Sequence, residues 1–337
     1  FAGEIDEFRG GDGPVHVGEV REPSPGCRAF VESCAALGFT RNRDMNGADY
    51  EGVAVNQLNV HRGRRWSPAV AYLHPARGRS NLRILTGRVG LRVLVENGRA
   101  VGVVVRGPGG EEIHRARREV ILSAGAIESP KLLMLSGIGA GQDPREVAGF
   151  GGAEEPEVQY QFVNFCLGVG IGAPATSLAP YPGFSFNYCV CRPDSRGDLS
   201  LRSADPDAKP VIRPNYLSAP NDLHLMVEAT KLGRRLAATR PFADLIEEEI
   251  FPGPGVNAPD EMADYIRAGG VTVYHPCGTN RMGADPGSVV DPELRVRGVD
   301  GLRVVDASVF PLVPSSNIHP ATLMLAERGA DLIRRAA

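Results

Sequence analysis

Two histidines stand where an imidazole has chemistry open to it. His275 closes the apolar run Val271–Tyr274 and precedes Pro276. His319 lies in PSSNIHPATLMLAERGADLI (314–333), just before the predicted start of the last helix, in the Asn317/Pro320/Thr322 region. An imidazole with an ordinary pKa of ~6.5 both takes and gives a proton close to neutrality. A pair of them could remove a hydroxyl proton and orient the oxygen it leaves. Each histidine also neighbours a proline and an element end, where it could simply hold a turn, so the residues alone leave both readings open. A third feature is Ser123-Ala124-Gly125-Ala126, which follows the apolar strand RREVIL (117–122). Such small residues let a ligand approach the backbone, or they serve a tight strand-to-helix turn. The string Gly168-Val169-Gly170-Ile171-Gly172-Ala173 satisfies GxGxxA. Pro174 and Pro180 follow where a phosphate-binding helix would have to begin, so no nucleotide turn is expected there. Cys189 and Cys191 sit in an alternating stretch without further ligands at metal spacing, so they and Cys277 are expected to be free thiols, with no metal site.

The elements that must position these residues are legible from periodicity and punctuation. Residues 1–25 read as an extended loop. Cys27–Leu37 has helical spacing and Gly38 stops it. Ala54–Val60 alternates, Arg62–Arg65 is a basic turn, and Pro68–Leu73 suits a short helix. Strands are predicted at Leu82–Thr86, Gly90–Glu96 and Ala100–Arg106, the last two joined by Asn97-Gly98, then at Arg117–Leu122. Ser129-Pro130 opens a helix through Leu135 that Gly137 closes. A boundary is placed in the Gly- and charge-rich stretch 139–156. Val158–Val190 is strand-like, Asn221–Ala238 is an amphipathic helix, and Phe242, Leu245 and Ile246 begin another. Pro252–Pro259 is a linker and Glu261–Ile266 is helical. Leu302–Val305 is a short strand and Thr322–Arg335 a final amphipathic helix. The pattern is a mixed α/β (α+β) protein.

Composition bounds the function. The chain has 337 residues, 42% of them hydrophobic and 23% charged, which suits a globular protein of about two domains. The net charge of −3 offers no global field for nucleic acid, and apart from Lys131, Lys209 and Lys231 its basic residues are scattered arginines. Six irregularly spaced cysteines do not make a disulfide scaffold. No apolar run reaches the ~20 residues of a membrane span. The start lacks the basic and apolar regions of a signal peptide, so a cytoplasmic location is expected.

At this point the motifs resemble the GMC (glucose–methanol–choline) flavoprotein oxidoreductases. SAGAIESPKLLMLSGIG (123–139) satisfies one of that family's two signatures throughout. HPCGTNRMG (275–283) and SVVDPELRVRGVDGLRVVDASVFP (288–311) are further strong matches, as is RPDSRGDLSLRSADP (192–206) with PNYLSAPNDL (214–223). GRRWSPAVAYL (63–73) and NLRILTGRVGLRVLVENGRAVGV (81–103) are weaker but in order, so the resemblance covers nearly all of the chain.

The resemblance implies a GMC-type FAD-binding domain remnant plus a substrate domain with antiparallel sheet and helices. It divides the chain into 1–74 on the substrate side, 75–142 as part of the FAD-binding domain, 155–268 as the substrate-binding domain, and 269–337 as the return carrying the histidine pair. It implies FAD as cofactor and oxidation of a small-molecule alcohol to an aldehyde or ketone. The electron acceptor is oxygen or another species. His275 matches the first histidine of the family's site and His319 the second, where relatives often carry Asn. Gly125 and Ala126 match a close approach to the dinucleotide. Asp306 and Ala307 match the stretch near the pyrophosphate and ribityl chain, and Pro320 and Thr322 the helix start near the flavin pyrimidine. Asn56, Trp66, Tyr160 and Phe162, with Asn59 and Asn164, fall in segments that line the family's pocket; Trp66 stands where relatives often have a small residue. Two family blocks have no counterpart: the strand–GxGxxG–helix unit with the loop after it, and a GVGxNLxDH stretch, replaced by AGQDPREVAGFGGAE (140–154). The alternatives are one part of a split flavoenzyme, or a non-redox remnant acting as a cyanohydrin-lyase-like enzyme or a binding module.

Overall fold

The computed structural model describes residues 1, 3, 5–139, 157–166, 178–315 and 317–336. The stretch 140–156 and the GxGxxA string at 168–173 lie outside the described residues. The chain forms two compact units, each assembled from three separated segments.

The first unit comprises residues 1–85, 160–189 and 224–270. Helix α1 (Pro25–Ala36) begins where Ser24 Oγ accepts from Cys27 N at 3.1 Å, and Gly38, at φ +95°, ends it. Its buried face carries Ala29, Phe30, Ser33 and Cys34. Ser33 Oγ donates to Thr239 O (2.9 Å) and accepts from Phe242 N (3.0 Å). The Phe242 ring is fully buried and meets Phe30, Phe162 and Phe184 at 5.0–5.8 Å between centroids. Around this core stand paired β7 (Val158–Val163) and β8 (Ser185–Val190), α4 (Pro220–Ala237), a 3₁₀ turn at Phe242–Leu245 and α5 (Pro259–Gly269). The alternating stretch 54–60 contributes only β1 (Val60–His61), paired antiparallel with β2 (Arg64–Arg65), and a bridge between Leu58 and Gly18. The short helix predicted after Pro68 is one wide turn, Ala69–Leu73, running into α2 (His74–Ala76).

The second unit comprises residues 86–159, 190–223 and 271–337. A meander of β3 (Val89–Glu96), β4 (Arg99–Gly107) and β5 (Gly110–Arg115) opens it. Asn97 and Gly98, both at positive φ (50° and 75°), make the β3–β4 turn that an Asn-Gly pair favours. β6 (Val120–Leu122) pairs in parallel with β11 (Leu302–Val304), and α3 (Gly125–Leu135) and α6 (Ile318–Arg335) follow them. The hairpin β9 (Asp198–Ser200) and β10 (Val211–Arg213) completes the strands. Val120, Leu122, Leu133, Leu294, Val304 and Leu325 belong to one buried core.

Three expectations are corrected. Leu82–Thr86 is not a strand: no described strand pairs with it, and Leu82, Ile84 and Leu85 are 37–38% exposed. β5, β9 and β10 form in stretches to which the periodicity assigned no element. α3 begins at Gly125, four residues before Ser129, so Pro130 lies inside the helix. α6 begins at Ile318, so His319 lies in its first turn and not ahead of it.

Candidate functional site

The parallel pair β6 and β11 sets the geometry. Both strands end at the same edge, and both run into short small-residue turns, 123–124 and 305–307. The carboxyl ends of parallel strands are where α/β sheets place ligands. Asp306 joins the two turns. Its Oδ2 accepts from Gly125 N (2.9 Å) and Ser129 Oγ (2.5 Å), and its Oδ1 accepts from Ser308 N (2.8 Å). The carboxylate therefore caps the positive end of α3 from across the sheet, which explains a helix that starts without a local cap. Ser129 Oγ also accepts from Ala124 N at 3.0 Å, and Ser123 Oγ donates to Val305 O at 3.0 Å.

The segment carrying His275 is tied to the same turn. Gly278, Asn280 and Met282 donate from their backbone nitrogens to Ala307, Ser308 and Val309 carbonyls at 3.4, 2.8 and 2.8 Å. Thr279 Oγ1 donates to Ala126 O (2.6 Å), and buried Asn280 Nδ2 to Ser308 Oγ (2.9 Å). Gly278 sits at φ +80° with the Phe310 carbonyl 3.2 Å from where a Cβ would stand, so a side chain there is strained and crowded. His275 extends from this anchored strap, half-buried beside exposed Tyr274. α6 is pressed onto β11: a Cβ on Gly329 would stand 2.6 Å from Val305 Cγ1. That contact fixes the helix whose exposed first turn carries His319 and Pro320. Thr322 Oγ1 donates back to Ile318 O at 2.9 Å. Neither His275 nor His319 makes a hydrogen bond or ion pair among the described residues, so both imidazoles are free for a ligand.

The structure thus brings Gly125, Ala126, Asp306 and Ala307 together and anchors His275 to them. Sequence reading gave no site role to Ser129, Thr279, Asn280 and Ser308, whose side chains do the joining; they lay inside matched motifs, but a bond between distant motifs has no local signal.

In the first unit, Tyr160 and Phe162 are packing residues. The Tyr160 hydroxyl donates to Ala229 O at 2.6 Å, and burial raises its pKa. Phe162 stacks in the aromatic core with Phe30 and Phe184. Asn56 is exposed, Asn59 Nδ2 donates to His16 O (3.1 Å), Asn164 Oδ1 accepts from Ser24 Oγ (2.8 Å), and Trp66 Nε1 donates to Pro14 O (2.8 Å). The six cysteines are free thiols, and no metal-binding group of three or more His, Cys, Asp or Glu exists among the described residues.

The residues expected to meet FAD fit it in two places. At Gly125, φ is +85° and the space a Cβ would take is open, so a ligand can reach the backbone there. Because Asp306 already occupies the α3 terminus, that position suits a hydroxyl-bearing or neutral part of the cofactor better than a phosphate. Among the described residues, the start of α6 shows no side-chain cap bond from Asn317 and no acidic residue in its first turn. Its positive end is left to stabilise negative charge on a neighbour.

Two family models described as GMC oxidoreductase match residues 4–165 and 193–326. The oxygen-dependent choline dehydrogenase of Rhizobium johnstonii is 35% identical, over 98% of this chain and 72% of its own. The mitochondrial choline dehydrogenase of Mus musculus is 35% identical, over 97% of this chain and 66% of its own. Among solved structures, pyridoxine 4-oxidase from Mesorbium loti is 31% identical with a TM-score of 0.82, covering 97% of this chain and 73% of that one. Formate oxidase from Aspergillus oryzae shares the fold, at 23% identity and a TM-score of 0.83.

Proposed function

The chain belongs to the GMC oxidoreductase family, and from that premise we propose that it oxidises the CH–OH group of a small alcohol to an aldehyde or ketone, with FAD as its cofactor. FAD, when bound, supplies the hydride acceptor. The residues that would hold it are Gly125, where the space beside the backbone is open, with Ala126 after it, the turn at Ala307 after the clamped Asp306, and the first turn of α6 with Pro320 and Thr322.

The observation that carries the reading is the pair of unpartnered imidazoles on anchored elements. His275, on the strap bonded to 307–309, takes the hydroxyl proton at a ring nitrogen. His319, in the first turn of α6, donates a hydrogen bond to the substrate oxygen and orients the alcohol. An alcohol is far too weak an acid to ionise unaided at neutral pH, and a neutral imidazole is matched to accept its proton as the C–H bond breaks. Two relatives are named for primary alcohols that carry a nitrogen centre, choline and pyridoxine. These are the first substrates to test.

The experiment is anaerobic stopped-flow mixing of FAD-loaded protein with choline, pyridoxine and simple primary alcohols, following loss of the oxidised flavin absorbance. Bleaching by an alcohol, with the aldehyde recovered, supports the reading. An FAD-loaded protein that no alcohol bleaches overturns it.

A further inference from the structure

A second pair of imidazoles lies in the first unit, outside the chemistry above. His16 and His61 are 45 residues apart in sequence, with ring centroids at 4.4 Å and 62° between the ring planes. His61 Nδ1 and His16 Nε2 face each other at 3.4 Å. This is a long hydrogen bond in which either ring can donate, depending on its tautomer. Two ring nitrogens with facing lone pairs repel unless a proton or a cation lies between them. Bonds of about 2.0–2.1 Å to one tetrahedral cation place two imidazole nitrogens about 3.4 Å apart.

Contacts that do not use the facing ring nitrogens fix this approach. Gly18 and Leu58 exchange both backbone hydrogen bonds, at 3.0 and 2.8 Å. Asn59 Nδ2 holds the His16 carbonyl, and Trp66 Nε1 holds that of Pro14. Trp66 N donates in turn to Asn59 O at 2.7 Å. Both imidazoles are half-buried.

We propose that His16 Nε2 and His61 Nδ1 form a binding site for a late first-row divalent cation such as Ni²⁺, Cu²⁺ or Zn²⁺, which would staple the segment 14–18 to the β1–β2 hairpin. Imidazole suits these ions, and Cu²⁺ binds tightest in the usual order of affinities. No third protein ligand is gathered among the described residues, so water or a small exogenous ligand completes the coordination.

The chain carries its own reporter. Trp66, its one tryptophan, has its ring 5.3 Å from His61 and 6.3 Å from His16. Paramagnetic Ni²⁺ added to chelator-treated, tag-free protein should quench the tryptophan emission saturably at one equivalent, and Zn²⁺ should restore it by displacement. His16→Gln and His61→Gln should each abolish the quench while leaving the cysteines in place. Absence of a saturable quench, or a quench that survives in either folded variant, overturns the proposal. A readout that needs no variant is the Cu²⁺ electron paramagnetic resonance spectrum of the native protein. It should show hyperfine coupling to two imidazole nitrogens; one nitrogen, or thiolate coordination, overturns the proposal.

Discussion

Asp306 is the residue on which the candidate site turns, and its three accepted hydrogen bonds define what a substitution does. Asp306→Asn keeps the volume but aims an amide N–H₂ at one of the donors. With a buried donor left unsatisfied, it should cost about 1–3 kcal/mol, read as a lower urea midpoint, and Asp306→Ala should cost more. The two histidines behave oppositely. Because neither has a partner to lose, His275→Ala and His319→Ala should leave the melting temperature nearly unchanged. His275→Ala should slow flavin reduction by roughly 10²–10⁴, the usual worth of a general base. His319→Asn should be milder than His319→Ala, since an amide still donates to the substrate oxygen. Thiol chemistry gives a further check. Burial pushes the Cys34 and Cys277 thiols up to about 11, so at mildly alkaline pH both stay protonated and unreactive. Mass spectrometry should find them alkylated only after denaturant is added. At this scale the sequence named Gly125, Asp306, His275 and His319 through their motifs. The bond between Gly125 and Asp306 was invisible, because a cap supplied from so far along the chain leaves no pattern near the helix it caps.

Among the elements, those with a local cause were legible. α1 follows from Ser24, Pro25 and Gly38, and the β3–β4 hairpin from Asn97-Gly98. Elements decided by neighbours were not. Leu82–Thr86 has the alternation of a strand but no described partner to bond to, whereas β5 forms despite its charged sequence because β4 offers it an edge. The start of α3 was misplaced for the same reason: Ser129-Pro130 reads as an opening, yet Asp306 supplies the cap at Gly125. The crossing of α6 over β11 yields a prediction in which two effects compete. In a helix interior, Gly329→Ala gains about 1 kcal/mol of propensity. Here the added methyl meets Val305 Cγ1 at 2.6 Å, and overpacking of this kind costs about 1–3 kcal/mol. The steric effect should win, lowering the melting temperature. Flavin retention should fall with it, because the first turn of α6 moves with the helix.

At the scale of the whole molecule, each unit has its own core, one built around Phe242 and Phe30, the other around Leu294, Val304 and Leu133. Phe242→Ala removes a fully buried ring and should cost its unit about 3–5 kcal/mol. Trp66, which lies in that unit, should report the shift in a fluorescence-monitored urea titration. The mixed α/β class was readable from the order of strands and helices. No local pattern shows which segments meet, because they do so through bonds such as that from Ser33 to Thr239, 206 positions apart. No helix among the described residues is long and apolar enough to cross a membrane. The bond from Gly125 to Asp306 spans 181 residues, and this bears on the order of events during synthesis. A ribosome adding ~5–20 residues per second needs on the order of 10–40 s to travel that far. Throughout that interval the emerging signature segment has no parallel strand beside it and no carboxylate at its helix start. The half-made chain must therefore shelter or tolerate this exposed edge until Asp306 leaves the exit tunnel, and any premature stop before Asp306 releases a polypeptide in which the start of α3 stays without its carboxylate.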